Sequence, residues 1–136
     1  MKPQLSFYDT PDGVVAFSTT RHGGVSKGNY ASLNINSYCG DAMEDVTENR
    51  RLLCMSLNLC DESRLVIPHQ THGTTVLTVD ETFMSLDKEQ RQQRLEGIDA
   101  VITNVPQVCI GVSTADCIPI IIYDPGHHAA AAIHAG

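Results

Sequence analysis

The sequence has little charge and no long apolar run, and each shortage excludes a class of protein. Only 18% of its 136 residues are charged, which argues against a disordered tail or a coiled coil. No apolar run approaches the roughly 20 residues that a membrane helix requires. The first residues lack the apolar stretch of a signal peptide. These shortages predict a cytoplasmic protein with no membrane partner.

Basic residues are scarce as well. The chain has 9 Lys and Arg against 16 Asp and Glu, which gives a net charge of -7, and residues 97–136 contain no basic residue. Binding to nucleic acid depends on clustered basic side chains that neutralise phosphates. Because no such cluster exists, we expect no nucleic-acid partner.

The cysteines do not form a disulfide pattern. There are 5 of them, an odd number without regular spacing, so free thiols in a reducing compartment are expected. Cys117 lies between histidines in the sequence and is a candidate ligand. The others are predicted to be small core hydrophobes: Cys39, Cys54, Cys60 and Cys109.

The residue patterns predict an α+β fold, and 42% hydrophobic residues suffice for a core. Asp41 can cap a helix whose apolar residues keep helical spacing through Leu59. The polar segment 81–96 fits either an exposed helix or a loop. β-branched and apolar runs predict strands: 14–18, 64–67, 74–79, 98–103, 108–112, 118–123 and 129–134. No linker or repeat divides the chain, so we expect a single domain over residues 1–136.

A hairpin between the last two predicted strands relates Cys117 to His134. A two-residue turn at positions 125–126 would make them cross-strand neighbours, with Cβ atoms about 4.5–5.5 Å apart. Pro125 disfavours that turn, but a register shift of two keeps both side chains on one face. With His72 they would form a three-ligand metal set, as in catalytic zinc sites.

Simpler interpretations stay open for the same residues. From the spacing alone, an inert buried thiol at Cys117, with both histidines as ordinary hydrogen-bonding groups, is the favoured interpretation. Asp116 could cap a turn, or it could accept a proton or orient a ligand histidine. The loop 20–28, with Arg21 and Ser26, suits an anion such as phosphate, yet turn structure alone would also explain its glycines.

Several motifs in order resemble the laccase-domain (YfiH-like) family, also described as multicopper polyphenol oxidase and as purine nucleoside phosphorylase. The first motif is FSTTRHGGVSKGNYASLN at residues 17–34. The later ones are HQTHG at 69–73, GIDA at 97–100, TADC at 114–117 and IHAG at 133–136. Together they span nearly the whole chain.

This resemblance implies a four-layer α/β/β/α fold with mixed sheets and flanking helices. It also implies zinc-dependent phosphorolysis of adenosine, inosine, guanosine and methylthioadenosine, with deamination of adenosine as a further activity. Purine nucleoside and phosphate would then be the small-molecule partners, and a homo-oligomer is a further expectation.

The motif matches also imply residue roles. The zinc ligands fall on His72, Cys117 and His134. Arg21 and Asn34 face the substrate pocket, joined by Ser26 of the glycine loop, and Arg21 and Asp116 are the candidate catalytic residues.

Two alternatives accompany this interpretation. One is a copper-dependent polyphenol oxidase; the other is a non-catalytic metal-binding module. Members of the family are roughly twice as long as this chain, so we expect the domain to be truncated at its C-terminus.

Overall fold

The computed structural model describes residues 2–114 and 117–135 and confirms the α+β class. Contacts group the chain into two compact units, Met1–Glu62 and Ser63–Gly136. The first unit contains a hairpin and one long helix: β1 (Leu5–Tyr8), β2 (Ala16–Thr19) and α1 (Met43–Ser56). The second contains short strands and two short helices: β3 (Leu65–Val66), β4 (Val76–Val79), α2 (Glu81–Met84), α3 (Lys88–Arg94), β5 (Ala100–Thr103), β6 (Cys109–Ile110), β7 (Ile118–Asp124) and β8 (Ala129–Ala135). In the described part of the chain, no helix has the length and apolar character needed to span a membrane.

Helix α1 begins one residue later than the capping signal predicted. Its N-cap is Ala42, whereas the Asp41 carboxylate accepts hydrogen bonds from the Ser26 hydroxyl and from the Ala42 N–H. The Asp41 prediction was therefore wrong in detail, because a tertiary partner engages the carboxylate that was expected to cap the helix.

The end of α1 follows from Asn58. This residue adopts φ 58, in the left-handed region. The N–H of Asn58 then donates to Met55 and that of Leu59 to Cys54, which is the hydrogen-bond pattern of a Schellman motif. The helix therefore stops at Ser56 rather than continuing through Leu59.

The second unit is built on a four-stranded mixed sheet in the order β4-β5-β8-β7. Strands β4 and β5 are parallel, and the other two pairs are antiparallel. β3 and β6 form a separate parallel pair. Side chains from the strands, from α2 and from the segment just before β5 form the core: Val66, Leu77, Val79, Phe83, Ile98, Val101 and Ala132.

The polar segment left undecided between helix and loop forms α2 and α3. Asp80 caps α2 by accepting from the Phe83 N–H, which brings Phe83 into the core. Asp87 and Gln90 form a capping box at the start of α3. Local capping therefore produces helices in a segment whose surface is mostly polar.

The final hairpin differs from the predicted register by two positions. Its loop is four residues long (125–128), so Asp124 pairs with Ala129 and Pro119 with His134. Cys117 lies two residues before Pro119 and so on the same face as His134. The predicted pairing of Cys117 with His134 was therefore wrong, but the two side chains still lie close together.

Candidate metal centre

Three candidate ligand atoms from separate segments of the second unit lie close together. The imidazole nitrogens of His72 and His134 and the sulfur of Cys117 each offer one atom, and these atoms lie within 4.8 Å of one another. The two imidazole rings meet edge to face, with centroids 5.1 Å apart. This group could hold a metal ion, and the structure brings together all three ligands that the sequence singled out.

His134 is the buried member of the group and is held by Asp99. It lies in β8 with 7% of its surface exposed. Its backbone N–H donates to the Asp99 carbonyl at 2.8 Å, and its ring Nδ1 lies 3.0 Å from Asp99 Oδ2. This contact occupies Nδ1 and leaves Nε2 as the ligand atom.

His72 lies in an exposed loop between β3 and β4 that folds around the same carboxylate. Asp99 Oδ1 accepts the backbone N–H groups of Thr71 at 3.1 Å and Gly73 at 3.0 Å, on either side of His72. His72 itself adopts φ 58, which is uncommon outside glycine although histidine tolerates it better than most residues. The loop geometry therefore depends on a side chain from another segment.

The protonation state of Asp99 reflects opposing causes. Burial raises the pKa of its carboxyl and is the largest single cause. Hydrogen bonds from Gly73, Thr71 and His134, together with the charge of His134, outweigh it and hold the pKa below its ordinary value. Asp99 is therefore a carboxylate at neutral pH.

Asp99 is the functional residue that the sequence interpretation missed. The role of orienting a ligand histidine was considered for Asp116, which lies outside the described residues. A signal was present, because Asp99 is the one charged residue in the apolar run 98–103 and a buried carboxylate must be hydrogen bonded. What the pattern could not show is that β5 pairs with β8 and so brings Asp99 to His134.

The predicted substrate residues lie in the first unit, where two of them share one carboxylate. The Ser26 hydroxyl donates to Asp41 Oδ2 at 2.5 Å, and the Asn34 amide donates to the same oxygen at 3.1 Å. Ser26 is buried, and its oxygen also accepts from Asn49 Nδ2 at 2.9 Å. The hydrogen bond from Ser26, opposed by burial and aided by Asn34, holds the pKa of Asp41 below its ordinary value.

Arg21 is exposed, and its Nε donates to the Ala31 carbonyl at 3.2 Å. No described residue is hydrogen bonded to its Nη1 or Nη2, so these atoms can meet an anion. A Cβ at Gly24 would overlap the Ser32 carbonyl oxygen, so close packing requires glycine there. Turn structure therefore explains this glycine, and anion binding by the loop stays a prediction.

The donor set suits zinc. One thiolate and two neutral imidazoles are common zinc ligands, and two ligands of a tetrahedral zinc ion lie roughly 3.3–3.7 Å apart. The upper separation of 4.8 Å is wider than that range, so a bound zinc ion would draw the exposed His72 and the half-buried Cys117 inward. A carboxylate on the second nitrogen of a ligand histidine is also typical of metal sites. The softness of these ligand atoms does not by itself exclude copper, because copper also binds thiolates and imidazoles.

Of the four cysteines predicted to lie in the core, only Cys54 is fully buried. Cys54 is buried, and burial raises the pKa of its thiol to about 11. Cys109 is half-buried. Cys39 and Cys60 are exposed, so the prediction that they are core residues was wrong.

Known proteins with similar sequences are named for nucleoside chemistry. A purine nucleoside phosphorylase of Bacteroides thetaiotaomicron is 49% identical over 120 residues, which cover 88% of this chain and 44% of that protein. The adenosine deaminase RL5 of an unknown prokaryotic organism is 40% identical over 98% of this chain and 50% of its own length. The chain therefore spans about half the length of these curated relatives.

A solved structure and a family description agree with these relatives. The crystal structure of YlmD from Geobacillus stearothermophilus superposes with a TM-score of 0.81 at 34% identity, over 92% of this chain and 46% of YlmD. Residues 15–136 match the family described as multi-copper polyphenol oxidoreductase laccase. With its three-ligand group and its motifs in order, the chain belongs to this laccase-like (YfiH) family.

Proposed function

We propose that this chain carries the metal centre of a zinc-dependent purine nucleoside phosphorylase that acts on adenosine, inosine, guanosine and methylthioadenosine. The observation that carries the proposal is the group of His72, Cys117 and His134. Three protein ligands are usual in catalytic zinc sites, whereas structural sites have four. The names of the relatives support the substrate class.

In phosphorolysis, the bond between ribose C1′ and the purine nitrogen breaks and a phosphate oxygen bonds to C1′. The purine leaves with the electron pair of the broken bond and takes up a proton. In this proposal Arg21 binds phosphate through charge-assisted hydrogen bonds. Asn34 binds the nucleoside, and the buried Ser26 supports it indirectly through the Asp41 carboxylate to which both side chains donate. Asp116 accepts the proton that the attacking phosphate loses and passes it to the leaving purine.

The metal would be held by the buried His134 of β8 and by the more exposed His72 and Cys117. When bound, zinc supplies Lewis acidity at a site reached by substrate oxygens or water. The chain's own residues fix the ligands, and Asp99 keeps the buried imidazole oriented. We infer a nucleoside and a phosphate ion as the partners of this centre.

Two other functions have specific support. One relative is named adenosine deaminase, so hydrolytic deamination at the same centre is a second activity. The family description favours a copper-dependent oxidase of phenols. Electron transfer through several coppers needs several ligand groups, and residues 2–114 and 117–135 contain one such group of three. A non-catalytic metal-binding module ranks last.

The deciding experiment follows adenosine through three product channels. Purified protein loaded with zinc is incubated with adenosine, with and without phosphate. We expect adenine and ribose 1-phosphate only when phosphate is present. Inosine and ammonia formed without phosphate would assign the deaminase instead. Oxygen uptake with a phenol by the copper-loaded protein, in the absence of phosphorolysis, would assign the oxidase.

A matched pair of variants links the products to the centre. Cys117→Ser changes a proposed ligand by one atom, whereas Cys109→Ser makes the same change in β6, outside the group. We expect loss of phosphorolysis in the first variant and retention in the second. Equal activity in both variants would separate the reaction from this metal centre.

A further inference from the structure

We propose that Asp99 is the positioning residue of the metal centre, because one carboxylate selects the tautomer of His134 and shapes the loop that carries His72. The inference rests on the metal part of the proposed function and not on nucleoside chemistry. The two carboxylate oxygens of Asp99 act on different metal ligands: Oδ2 on His134 and Oδ1 on the loop of His72.

The first oxygen acts on His134. Oδ2 lies 3.0 Å from Nδ1, and the two side chains are only 3% and 5% exposed. An ionised carboxylate accepts hydrogen bonds but cannot donate one, so the ring nitrogen that faces it must carry the proton. In a neutral imidazole the lone pair then lies on Nε2. Asp99 thereby prepares the ring for a metal before any metal arrives.

The second oxygen acts on the loop that carries His72. Oδ1 accepts two backbone N–H groups, those of Thr71 and Gly73, which bracket the ligand. Between them His72 holds φ 58, a left-handed conformation that is uncommon outside glycine. The two hydrogen bonds hold the backbone on either side of His72. A single side chain therefore sets the position of one ligand and the ring orientation of another.

The chain contains an internal control for this chemistry. Glu96 contacts His69 Nδ1 at 2.8 Å, which is also a carboxylate on a histidine ring nitrogen. His69 is on the same loop as His72, but it is not part of the three-ligand group. The Glu96 side chain is 59% exposed, in contrast to Asp99. Glu96→Gln and Asp99→Asn thus make the same chemical change, and only the second touches a ligand.

Asp99→Asn keeps the shape of the side chain and changes its hydrogen bonding. If the amide oxygen accepts from Thr71 and Gly73, the amide NH₂ faces His134 Nδ1 and needs an acceptor there. The ring proton then moves to Nε2 and blocks the ligand lone pair. We expect the affinity for Zn(II), measured against a competing chelator, to fall by about 10- to 100-fold. We expect Glu96→Gln to stay within about twofold of the wild type.

The tautomer itself can be read without metal or substrate. Long-range proton–nitrogen NMR correlation on the metal-free protein, at mildly alkaline pH, distinguishes a proton on Nδ1 from one on Nε2. We expect Nδ1–H for His134 in the wild type and Nε2–H in Asp99→Asn. A purely structural role for Asp99 would lower stability without moving this proton.

Either of two results would overturn the proposal. One is a wild-type His134 that carries its proton on Nε2, which is decisive even if Asp99→Asn fails to fold. The other is an Asp99→Asn protein that binds Zn(II) as tightly as Glu96→Gln. Failure of phosphorolysis with both expectations met would count against the proposed function alone.

Discussion

Each unit of the protein contains a carboxylate that accepts several hydrogen bonds. The two clusters differ in whether a donor side chain has a further atom that could bind a ligand. Asp41 in the first unit accepts from a hydroxyl, a side-chain amide and a backbone N–H. Asp99 in the second unit accepts from two backbone N–H groups and one imidazole. Both carboxyls have a pKa below the ordinary value.

The difference lies in the imidazole. The Ser26 hydroxyl that donates to Asp41 also accepts from Asn49, so its capacity is spent within the protein. The His134 ring that contacts Asp99 through Nδ1 has a second nitrogen, and the ring belongs to the three-ligand group with His72 and Cys117. A cluster of hydroxyls and amides therefore holds a loop in place, whereas a cluster that includes an imidazole can also present a ligand atom. The predictions below test that distinction.

The largest effect is expected at the ligand cysteine. Cys117→Ala removes the thiolate, which supplies both charge and softness, so zinc affinity should fall by more than the roughly 100-fold upper figure for an outer-shell partner. Cys109→Ala should leave the zinc content unchanged. Elemental analysis of both purified variants checks this. Equal zinc loss would mean that a core cysteine had been mistaken for a ligand.

A large effect on stability, without one on zinc, is expected at Asn49. This residue is fully buried, and its amide bonds the Val25 N–H, the Ser26 hydroxyl and the Asn34 carbonyl. Asn49→Ala removes three buried hydrogen bonds at once and should lower the free energy of unfolding by about 3 kcal/mol.

Urea denaturation measures the Asn49 effect, with the exposed Thr47→Ala in the same helix as control. The three metal ligands lie wholly in the second unit, so the folded variant should keep its zinc. Zinc loss as large as that of Cys117→Ala would remove the distinction between the two clusters.

A smaller effect is expected at Arg21. If its guanidinium binds phosphate, Arg21→Ala should raise the KM for phosphate by about tenfold, the factor expected for one charge-assisted hydrogen bond. Zinc affinity should not change. Lys27→Ala removes an exposed positive charge from the same loop and serves as the control. If both variants respond to phosphate like the wild type, the loop is a structural turn only.

The smallest effect is a pH dependence at Ser26. The pKa of Asp41 in the folded protein lies below its ordinary value of 3.8, with the Ser26 hydrogen bond as the largest cause. The stabilisation is therefore present above that pH and is lost as the pH falls through the folded pKa. Ser26→Ala should raise the pKa of Asp41 in the folded protein towards 3.8 and so remove part of this stabilisation.

Urea denaturation of Ser26→Ala at several pH values separates two contributions. The lost donor to Asp41 should destabilise the variant at neutral pH and have no effect in strong acid. The loss of the hydrogen bond from Asn49 Nδ2 to Ser26 should destabilise it at every pH. A difference from the wild type that does not change with pH would show that Asp41 gains nothing from this hydrogen bond.

Local patterns carried much of the prediction. The β-branched and apolar runs marked every strand of the second unit, and helical spacing marked α1, because side-chain periodicity follows directly from backbone geometry. The common face of Cys117 and His134 followed from the two-residue period of a strand. That period is unaffected by the register shift of two that the longer loop caused.

Other features depended on partners distant in the sequence. Asp41 looked like a helix cap, because the pattern contained no sign that Ser26 would engage it. The segment 81–96 could not be decided from periodicity, because the burial of Phe83 among residues of other segments adds to the local caps at Asp80 and Asp87.

The sequence by itself determined which atoms are available: one thiol and two imidazoles in motifs that identify the family, and no basic cluster. Only the tertiary structure decided which carboxylate is hydrogen bonded to His134 and to the loop of His72. Asp99 reaches His134 because β5 pairs with β8, and it reaches the backbone on either side of His72 because that loop folds over it. Strand pairing between distant segments is set by the packing of the whole sheet, which no local pattern encodes.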